Sequence, residues 1–200
     1  MTEPHEKKIA QFYDRTLSVY DLALELFFHP GRKKVADSIN CKEGSVLDLG
    51  CHSGQLAKLL KSDSCKGIDL SEAAIKKARQ IQNPLENNWR FETKSILEAL
   101  ADSGDYQHYC LLYVLSVTPN SDLVLEKIAA KMKPGQRLYL VNHFSSSMLR
   151  RKIAALLGQS IYFGFNFYFP LNRDFLSKHY NFIREEKTAF LWTFLELERK

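Results

Sequence analysis

Short apolar runs alternate with amphipathic stretches over most of this chain. The runs predict strands at residues 45–48, 66–69, 89–93, 106–112 and 137–142. Between them, apolar residues recur at three- and four-residue spacing, which predicts helices at 54–61, 71–82, 96–101 and 121–132. Ser71 is the expected N-cap of the second of these helices. Strands that alternate with helices in this way are typical of an α/β domain built on a parallel sheet.

Both ends of the chain depart from that alternation. Residues 6–28 have the apolar spacing of a helix, which the sequence His29-Pro30-Gly31 is expected to end, and a second helix is predicted at 32–39. After the fifth strand, residues 145–157 and 173–180 are predicted to be helical, and residues 182–188 and 190–198 to form a β pair. The predicted fold class is therefore α/β: a doubly wound, seven-stranded, mostly parallel sheet with a C-terminal antiparallel hairpin and helices on both faces.

Length and composition predict one ordinary globular domain. The chain has 200 residues, 45% of them apolar and 26% charged, and a single domain is expected to span 1–200. Within it, residues 1–40 are interpreted as an N-terminal helical lid, and residues 145–180 as a basic and aromatic segment that meets substrate or membrane. No apolar run is as long as a membrane span and the first eight residues are polar, so a cytoplasmic location is expected. The four cysteines show no C-x-x-C spacing and the histidines are scattered, so no metal is predicted.

The net charge of +5 is concentrated in one block of the chain. Residues 127–173 contain eight basic residues and no Asp or Glu. Such asymmetry favours an anionic partner, and Arg150, Arg151 and Lys152, near the aromatic residues at 161–169, are the candidate contacts with an anionic membrane surface. Peripheral docking at the inner membrane face is the localisation that this implies. The alternative is a chance run over buried elements. Nucleic acid is not expected, because no RNP-like or helix-turn-helix signature is present.

The most informative segment is VLDLGCHSGQLA at residues 46–57. It is predicted to be a strand followed by a glycine turn, with Asp48 before Gly50 and Gly54, and Asp69 ends the next predicted strand. Glycines let a ligand approach the backbone, and a carboxylate at the neighbouring strand end can accept both hydroxyls of a ribose. A dinucleotide site favours G-x-G-x-x-G, whereas this turn is D-x-G-x-x-x-G with His52 at its centre. The pair of strand ends indicates a nucleoside-binding βαβ unit; the turn alone also fits a protein that binds nothing there.

This turn resembles the first motif of the class I S-adenosylmethionine (SAM) methyltransferases, D/E-x-G-x-G-x-G, with one glycine replaced. The segment Lys133-Pro134-Gly135 resembles the turn that commonly precedes their fifth strand. The resemblance implies an enzyme with SAM as its cofactor. It places cofactor contacts at Asp48, Gly50, Cys51, His52, Gly54, Gln55, Asp69, Leu70, Ser95, Ile96 and Tyr113. The chain departs from the pattern at His52, at Gln107, where an aspartate often opens the fourth strand, and at Lys94-Ser95, where many relatives have Gly-Asp.

Three shorter segments resemble the small soluble bacterial phosphatidylethanolamine N-methyltransferases. They are residues 19–22 with 27–32, the sequence YVLSVTP at 113–119, and LVNHF at 140–144. The resemblance implies methylation of the ethanolamine headgroup of a phospholipid, with an amine-bearing lipid as the acceptor. Two alternatives stay open: a methyltransferase that acts on a soluble small molecule, and a SAM-fold module without catalysis that binds lipid or a partner.

Methylation of an amine requires a free lone pair, which a general base can supply. His143 directly follows the fifth strand and is the candidate base, with orientation of a backbone carbonyl as the alternative role. Tyr13, Tyr20 and Tyr113 are candidates for an aromatic box around a sulfonium or ammonium, with core packing as the alternative. The expected catalytic set is thus His143, Tyr20 and Tyr113, and the expected substrate contacts are Tyr13, Tyr20, Asn142 and His143.

Overall fold

The structure of the protein is a computed structural model, and it describes residues 25–62, 64–81, 88–118, 120–144, 168–169, 171–188 and 192–200. The strands are β1 Val46–Leu49, β2 Ser64–Asp69, β3 Asn88–Thr93, β4 His108–Leu112, β5 Arg137–Phe144, β6 Tyr168–Phe169, β7 Tyr180–Lys187 and β8 Thr193–Arg199. The helices are α1 Glu25–Asn40, α2 Glu72–Ala78, α3 Ile96–Ala101, α4 Ser121–Lys131 and α5 Arg173–His179, with a 3₁₀ turn at Ala57–Leu59.

The strands form one twisted-sheet path in the order β3-β2-β1-β4-β5-β8-β7. The first five strands of that path, β3, β2, β1, β4 and β5, are parallel to one another. Strand β8 runs antiparallel to both β5 and β7. The two-residue β6 lies off the path and pairs with the end of β5. The order reverses between β1 and β4, which is the position where doubly wound sheets bind ligands. The predicted fold class, with seven strands and a terminal antiparallel hairpin, is confirmed.

The helices cover both faces of the sheet because side chains alternate along each buried strand. On one face, α1 and α2 pack against residues such as Val46, Cys110 and Val141. On the other face, α3, α4 and α5 pack against residues such as Leu47 and Leu111. The central strands β1 and β4 are buried along their whole length, which explains their uninterrupted apolar runs.

The N-cap predicted at Ser71 is confirmed, whereas the helix predicted at 54–61 is wrong. Ser71 accepts a hydrogen bond from the backbone N–H of Ala74 at the start of α2. In place of the predicted helix the chain makes turns and the short 3₁₀ segment. Besides its own turn hydrogen bonds, the segment is held by a tertiary contact: the Asn40 side chain donates to the carbonyl of Leu59 and accepts from the N–H of Lys61.

The predicted helix break at His29-Pro30-Gly31 is also wrong, because α1 continues through Pro30. A proline inside a helix removes one backbone hydrogen bond, so other contacts must compensate. Gly31 is buried, and a Cβ added there would collide with the hydroxyl of Tyr113. Gly31 therefore permits the close approach of α1 to the sheet rather than ending the helix.

Several predicted features lie outside the described residues. They include residues 6–24 of the helix predicted at 6–28, with Tyr13 and Tyr20, the helix at 145–157, and the basic residues Arg150, Arg151 and Lys152. Within the described ranges, no helix is both long and apolar enough to cross a membrane.

Several basic residues of the block at 127–173 form ion pairs with acidic residues elsewhere in the chain. Lys133 pairs with Asp105, Arg137 with Glu196 and Glu198, and Arg173 with Glu185. The charge asymmetry of the sequence is therefore partly cancelled by the fold.

Candidate active site

The turn after β1 is tied to the end of β2 by backbone hydrogen bonds. The N–H groups of Gly50 and Cys51 both donate to the carbonyl of Ile68, at 2.8 and 2.9 Å. Gly50 has a φ of +85°, and a Cβ there would collide with Val114. Only glycine satisfies both conditions at this position, so the turn retains the shape that the sequence motif predicts.

His52 replaces a motif glycine without changing the course of the turn. Its φ is 50°, in the left-handed region that glycine adopts easily and that costs other residues about 1 kcal/mol. Histidine is among the residues found in this conformation more often than most. The N–H of His52 donates to Oδ2 of Asp69 at 2.9 Å, which links the turn to β2. The departure at His52 is thus compatible with a ligand-binding turn.

Asp69 lies at the carboxyl end of β2 with both oxygens in hydrogen bonds. Oδ2 accepts from His52, and Oδ1 accepts from the N–H of Ser71 at 2.9 Å. A backbone hydrogen bond from Leu70 also acts on this carboxylate, so most of the roughly four hydrogen bonds that a carboxylate can accept are already made within the turn. Burial raises the pKa of Asp69, and the backbone N–H of Ser71 acts in the opposite direction.

A cavity opens at the carboxyl ends of β1, β2, β3 and β4. It offers about 110 Å³ to the centres of water molecules and is open to solvent at its mouth. Seven of the predicted cofactor contacts line it: Gly50, His52, Asp69, Leu70, Ser95, Ile96 and Tyr113. The remaining lining is mainly apolar, with Leu97, Leu112, Val114, Val117 and Val124. These residues come from four separate strand ends, which the parallel sheet brings to one edge.

The other predicted cofactor contacts do not line this cavity. Asp48 and Cys51 are buried beneath it, with 3% and 5% of their surfaces exposed. Gln55 lines a separate surface hollow with Ser53 and hydrogen-bonds to that serine. Gly54 packs against α2 and Phe91, where an added Cβ would meet Ile81. Their direct contact with a cofactor stays a prediction.

Two residues that line the cavity, Phe28 and Arg32, were not among the predicted contacts. They are one helical turn apart on α1. The guanidinium of Arg32 lies 5.5 Å from the ring centroid of Phe28 and 5.9 Å from that of Tyr113. The i, i+4 spacing of Phe28 and Arg32 is visible in the sequence. Both side chains reach the cavity only because the helix continues through Pro30.

Asp48 and Arg32 together set the charge beneath the cavity. Burial raises the pKa of the Asp48 carboxyl to about 7, the Arg32 cation opposes that rise, and the negative charge of Asp69 adds to it. Near neutral pH, Asp48 is therefore a mixture of the neutral and the charged form. A cationic ligand in the cavity would favour the charged form.

Tyr113 is held in a fixed orientation on the cavity wall. Its φ is 66°, which is rare for an aromatic residue and is typical of residues at functional sites. Its hydroxyl donates to the carbonyl of Phe28 at 2.8 Å, and its N–H donates to the carbonyl of Val141 at 2.6 Å. The strained backbone and these two hydrogen bonds direct the ring against α1.

His143 lies beside the cavity in an aromatic cluster and is not among the lining residues. Its ring stacks on Trp192 with centroids 3.5 Å apart and planes 25° apart. Trp192 also contacts Tyr113 edge-on at 4.7 Å and Phe28 at 5.6 Å. Of the predicted aromatic box, Tyr113 lies among the described residues, where its ring contacts Phe28 and Trp192. Tyr13 and Tyr20 lie outside the described residues. Trp192 was missed because the sequence does not reveal which residue of the last strand faces His143.

Asn142 is fully buried next to His143. Its Oδ1 accepts from the N–H of His143 at 2.9 Å, and its Nδ2 has no hydrogen-bond partner among the described residues. Asn142 thus supports the backbone of His143, and its contact with a substrate stays a prediction.

At the end of β3, Ser95 and Lys94 replace the acidic residue of related sequences. Ser95 forms a capping box for α3: its hydroxyl oxygen accepts from the N–H of Glu98, and its own N–H donates to the Glu98 carboxylate. Lys94 pairs with Glu92 at 3.1 Å and with Asp102 at 3.2 Å. Part of the acceptor capacity of Ser95 is therefore already used. No cluster of potential metal ligands occurs among the residues that the structure describes.

Residues 20–192 match the family described as "Methyltransferase domain". The chain belongs to this methyltransferase family. The predicted enzyme class is thereby confirmed at the level of the family, a SAM-dependent methyltransferase, together with the recognition of the general fold and motif. The cavity geometry agrees, because Gly50 and His52 of the turn and Asp69 all line it.

Two curated relatives show the breadth of this family. The chain is 26% identical over 109 residues to the ubiquinone biosynthesis O-methyltransferase of Coxiella burnetii, covering 54% of this chain and 47% of that protein. It is 23% identical over 131 residues to the phosphatidylethanolamine N-methyltransferase of Cereibacter sphaeroides, covering 64% of each. The match thus spans about half the length of the first of these relatives and somewhat less than two thirds of the second.

A solved structure has the same fold over nearly the whole chain. It is the magnesium protoporphyrin IX methyltransferase of Synechocystis PCC 6803 with bound SAH, with a TM-score of 0.69 and 20% identity. The alignment covers 98% of this chain and all of that one. At this identity the comparison shows the fold and leaves the methyl acceptor open.

The buried carboxyl of Asp48 leads to a stability prediction. We expect Asp48→Asn to raise the free energy of unfolding at pH 8 by about 2–4 kcal/mol, because the folded state then no longer buries a negative charge. The raised pKa of Asp48 means that its stabilising contribution is present below pH 4 and is lost as the pH rises through about 7. Thermal unfolding at pH 5 and pH 8 should therefore show a larger gain for the variant at pH 8.

Asp37→Asn is the matched control for this measurement. Asp37 is an exposed carboxylate on α1, with 62% of its side chain accessible, paired with Lys33. This control should change stability by less than about 0.5 kcal/mol at either pH. An Asp48→Asn protein that is less stable than the parent at pH 8 would contradict the buried-charge explanation.

Proposed function

We propose that this protein is a SAM-dependent N-methyltransferase that methylates the ethanolamine headgroup of a phospholipid at a membrane surface. The observation that carries the proposal is the cavity at the switch point of the sheet, which combines the Asp69 carboxylate with the rings of Phe28 and Tyr113. The likeness to the phosphatidylethanolamine N-methyltransferase of Cereibacter sphaeroides supports the choice of acceptor.

The residues of the cavity suit the parts of SAM. The Asp69 carboxylate at the end of β2 suits the ribose hydroxyls, and the guanidinium of Arg32 suits the methionine carboxylate. The apolar side chains of Leu70, Ile96 and Leu97 suit a purine. When bound, SAM supplies an electrophilic methyl group on a sulfonium. The aromatic faces of Phe28 and Tyr113 would favour that positive charge through cation–π attraction.

The acceptor amine is proposed to approach from the side of His143. A primary ammonium is largely protonated at neutral pH, so one N–H bond must break before the nitrogen can attack. The imidazole of His143 accepts that proton in the proposed mechanism and becomes an imidazolium. Tyr13 and Tyr20, on the proposed N-terminal lid, would cover the amine and exclude water.

Docking to the membrane is assigned to Arg150, Arg151 and Lys152. Several other basic residues of their block already pair with acidic side chains. Exposed cations each contribute about 1 kcal/mol to binding at an anionic surface. A peripheral association at the inner membrane face is therefore part of the proposal.

Transfer of a radiolabelled methyl group from SAM tests this function. The purified protein is incubated with vesicles of phosphatidylethanolamine and, in parallel, with an extract of soluble metabolites. We expect label in the lipid fraction, in mono-, di- or trimethylated ethanolamine lipids. Label confined to the soluble fraction would instead support a small-molecule acceptor. No transfer by a protein that binds SAM would support a module without catalysis.

A further inference from the structure

The imidazole of His143 is stacked face to face on the indole of Trp192, the residue directly before β8. The ring centroids of His143 and Trp192 are 3.5 Å apart, and the planes are inclined by 25°. In the antiparallel pair of β5 and β8, Asn142 lies opposite Thr193. One step further along that register, His143 and Trp192 are neighbours across the strands and share a face of the sheet.

Trp192 is held by packing on several sides. Its indole is in contact with Tyr113 and Phe28, and only 7% of the residue is exposed. Its carbonyl accepts from the N–H of Thr188 at 2.8 Å, which closes the β7–β8 hairpin at this point. The indole N–H has no hydrogen-bond partner among the described residues. The packing against Tyr113 and Phe28 holds the indole in place, so that His143 stacks on a rigid aromatic face.

A rigid aromatic face restricts the rotamer of a histidine and favours its charged form. The indole quadrupole attracts a cation above the ring, so an imidazolium stacked there is stabilised relative to the neutral imidazole. The backbone N–H of His143 donates to Oδ1 of Asn142, and this hydrogen bond fixes the backbone of His143. Backbone and ring of His143 are therefore both oriented from the C-terminal half of the sheet.

We propose that Trp192 is a positioning residue that acts through His143. This inference rests on the proposed function, in which His143 accepts the proton of the substrate ammonium. In that step an N–H bond of the ammonium breaks and an N–H bond of the imidazolium forms. Trp192 holds the imidazole in place before the step and stabilises the cation after it. It touches neither cofactor nor substrate in this role.

Substitution of Trp192 separates this role from a merely structural one. We expect Trp192→Leu to lower kcat by about 5- to 30-fold, with SAM affinity changed by less than about threefold. Trp192→Phe keeps an aromatic face and should restore most of the rate. Trp89→Leu is the control, because Trp89 is the other tryptophan of the chain and lies on β3. Equal losses in the Leu and Phe variants would overturn the proposal.

A double-mutant cycle shows whether Trp192 acts through His143. If it does, Trp192→Leu should have almost no further effect on kcat in the His143→Ala background. Multiplicative losses would assign Trp192 an independent structural role and would overturn the proposal. Normal turnover of His143→Ala alone would instead contradict the proposed base, and with it any action of Trp192 through that base.

Fluorescence tests the stack without any methyl acceptor. In a Trp89→Phe protein, Trp192 is the remaining tryptophan, and a protonated imidazole quenches a neighbouring indole. We expect its emission to fall as the pH is lowered from about 8 to about 5. His143→Gln should remove this response, although Asp48, which also titrates in this range, is retained. An unchanged response in His143→Gln would show that the stack does not form in solution, whatever the acceptor of the enzyme is.

Discussion

His143→Ala is expected to lower kcat for methyl transfer to phosphatidylethanolamine by about 10²- to 10⁴-fold. The expectation follows from the proposed step, in which the imidazole takes a proton from the acceptor ammonium. SAM affinity should change little, because His143 is not among the residues that line the cavity. The measurement is kcat from label transfer, together with the SAM dissociation constant from calorimetry.

His179→Ala provides the matched control for that variant. His179 ends α5, and its ring packs on Phe175. Loss of this ring should leave kcat within about twofold. If His143→Ala retains near-normal turnover, the base assignment is wrong and the residue has at most an orienting role. If kcat falls and SAM affinity falls with it, His143 acts on the cofactor site instead.

Asp69→Ala is expected to weaken SAM binding by about 10- to 150-fold, equivalent to about 1.5–3 kcal/mol. The carboxylate is proposed to accept both ribose hydroxyls. It also accepts the N–H groups of His52 and Ser71, so the Ala variant loses support for the turn as well. Asp69→Asn keeps one acceptor oxygen and should lose less affinity than Asp69→Ala.

Calorimetric titration with SAM, at a pH above 8 where Asp48 is ionised, measures both variants. Asp122→Asn is the control, because this residue is an exposed carboxylate in the first turn of α4. Circular dichroism establishes that each variant is folded. A folded Asp69→Ala protein with the SAM affinity of the parent would remove Asp69 from the binding site and would redirect the search to other cavity residues.

The fold was predictable from the sequence because burial imposes a period on each element. Strands β1 and β4 are buried on both faces and read as continuous apolar runs, while α4 repeats apolar residues on one face. The cap at Ser71 marked one helix start. Where long-range contacts determine the conformation of a segment, the local sequence pattern did not predict it. The 54–61 segment and the passage of α1 through Pro30 are the clearest cases.

The candidate site divides in the same way. Asp69, Gly50 and Tyr113 could be predicted because they end a strand or directly follow one, and the ends of parallel strands meet at one edge. Arg32, Phe28 and Trp192 could not, because their positions depend on how α1 docks and on the register of β8 against β5. A shift of that register by one residue would turn Trp192 to the opposite face.

By itself, the sequence determined the alternation of strands and helices, the glycine turn and the acidic strand end that characterise a methyltransferase. These are local properties: hydrophobic period, backbone freedom and position relative to a strand end. Only the tertiary structure decided that Arg32 lies over the rings of Phe28 and Tyr113, and that the indole just before the last strand stacks on His143. Such contacts join residues far apart in the chain, and packing rather than local preference selects them.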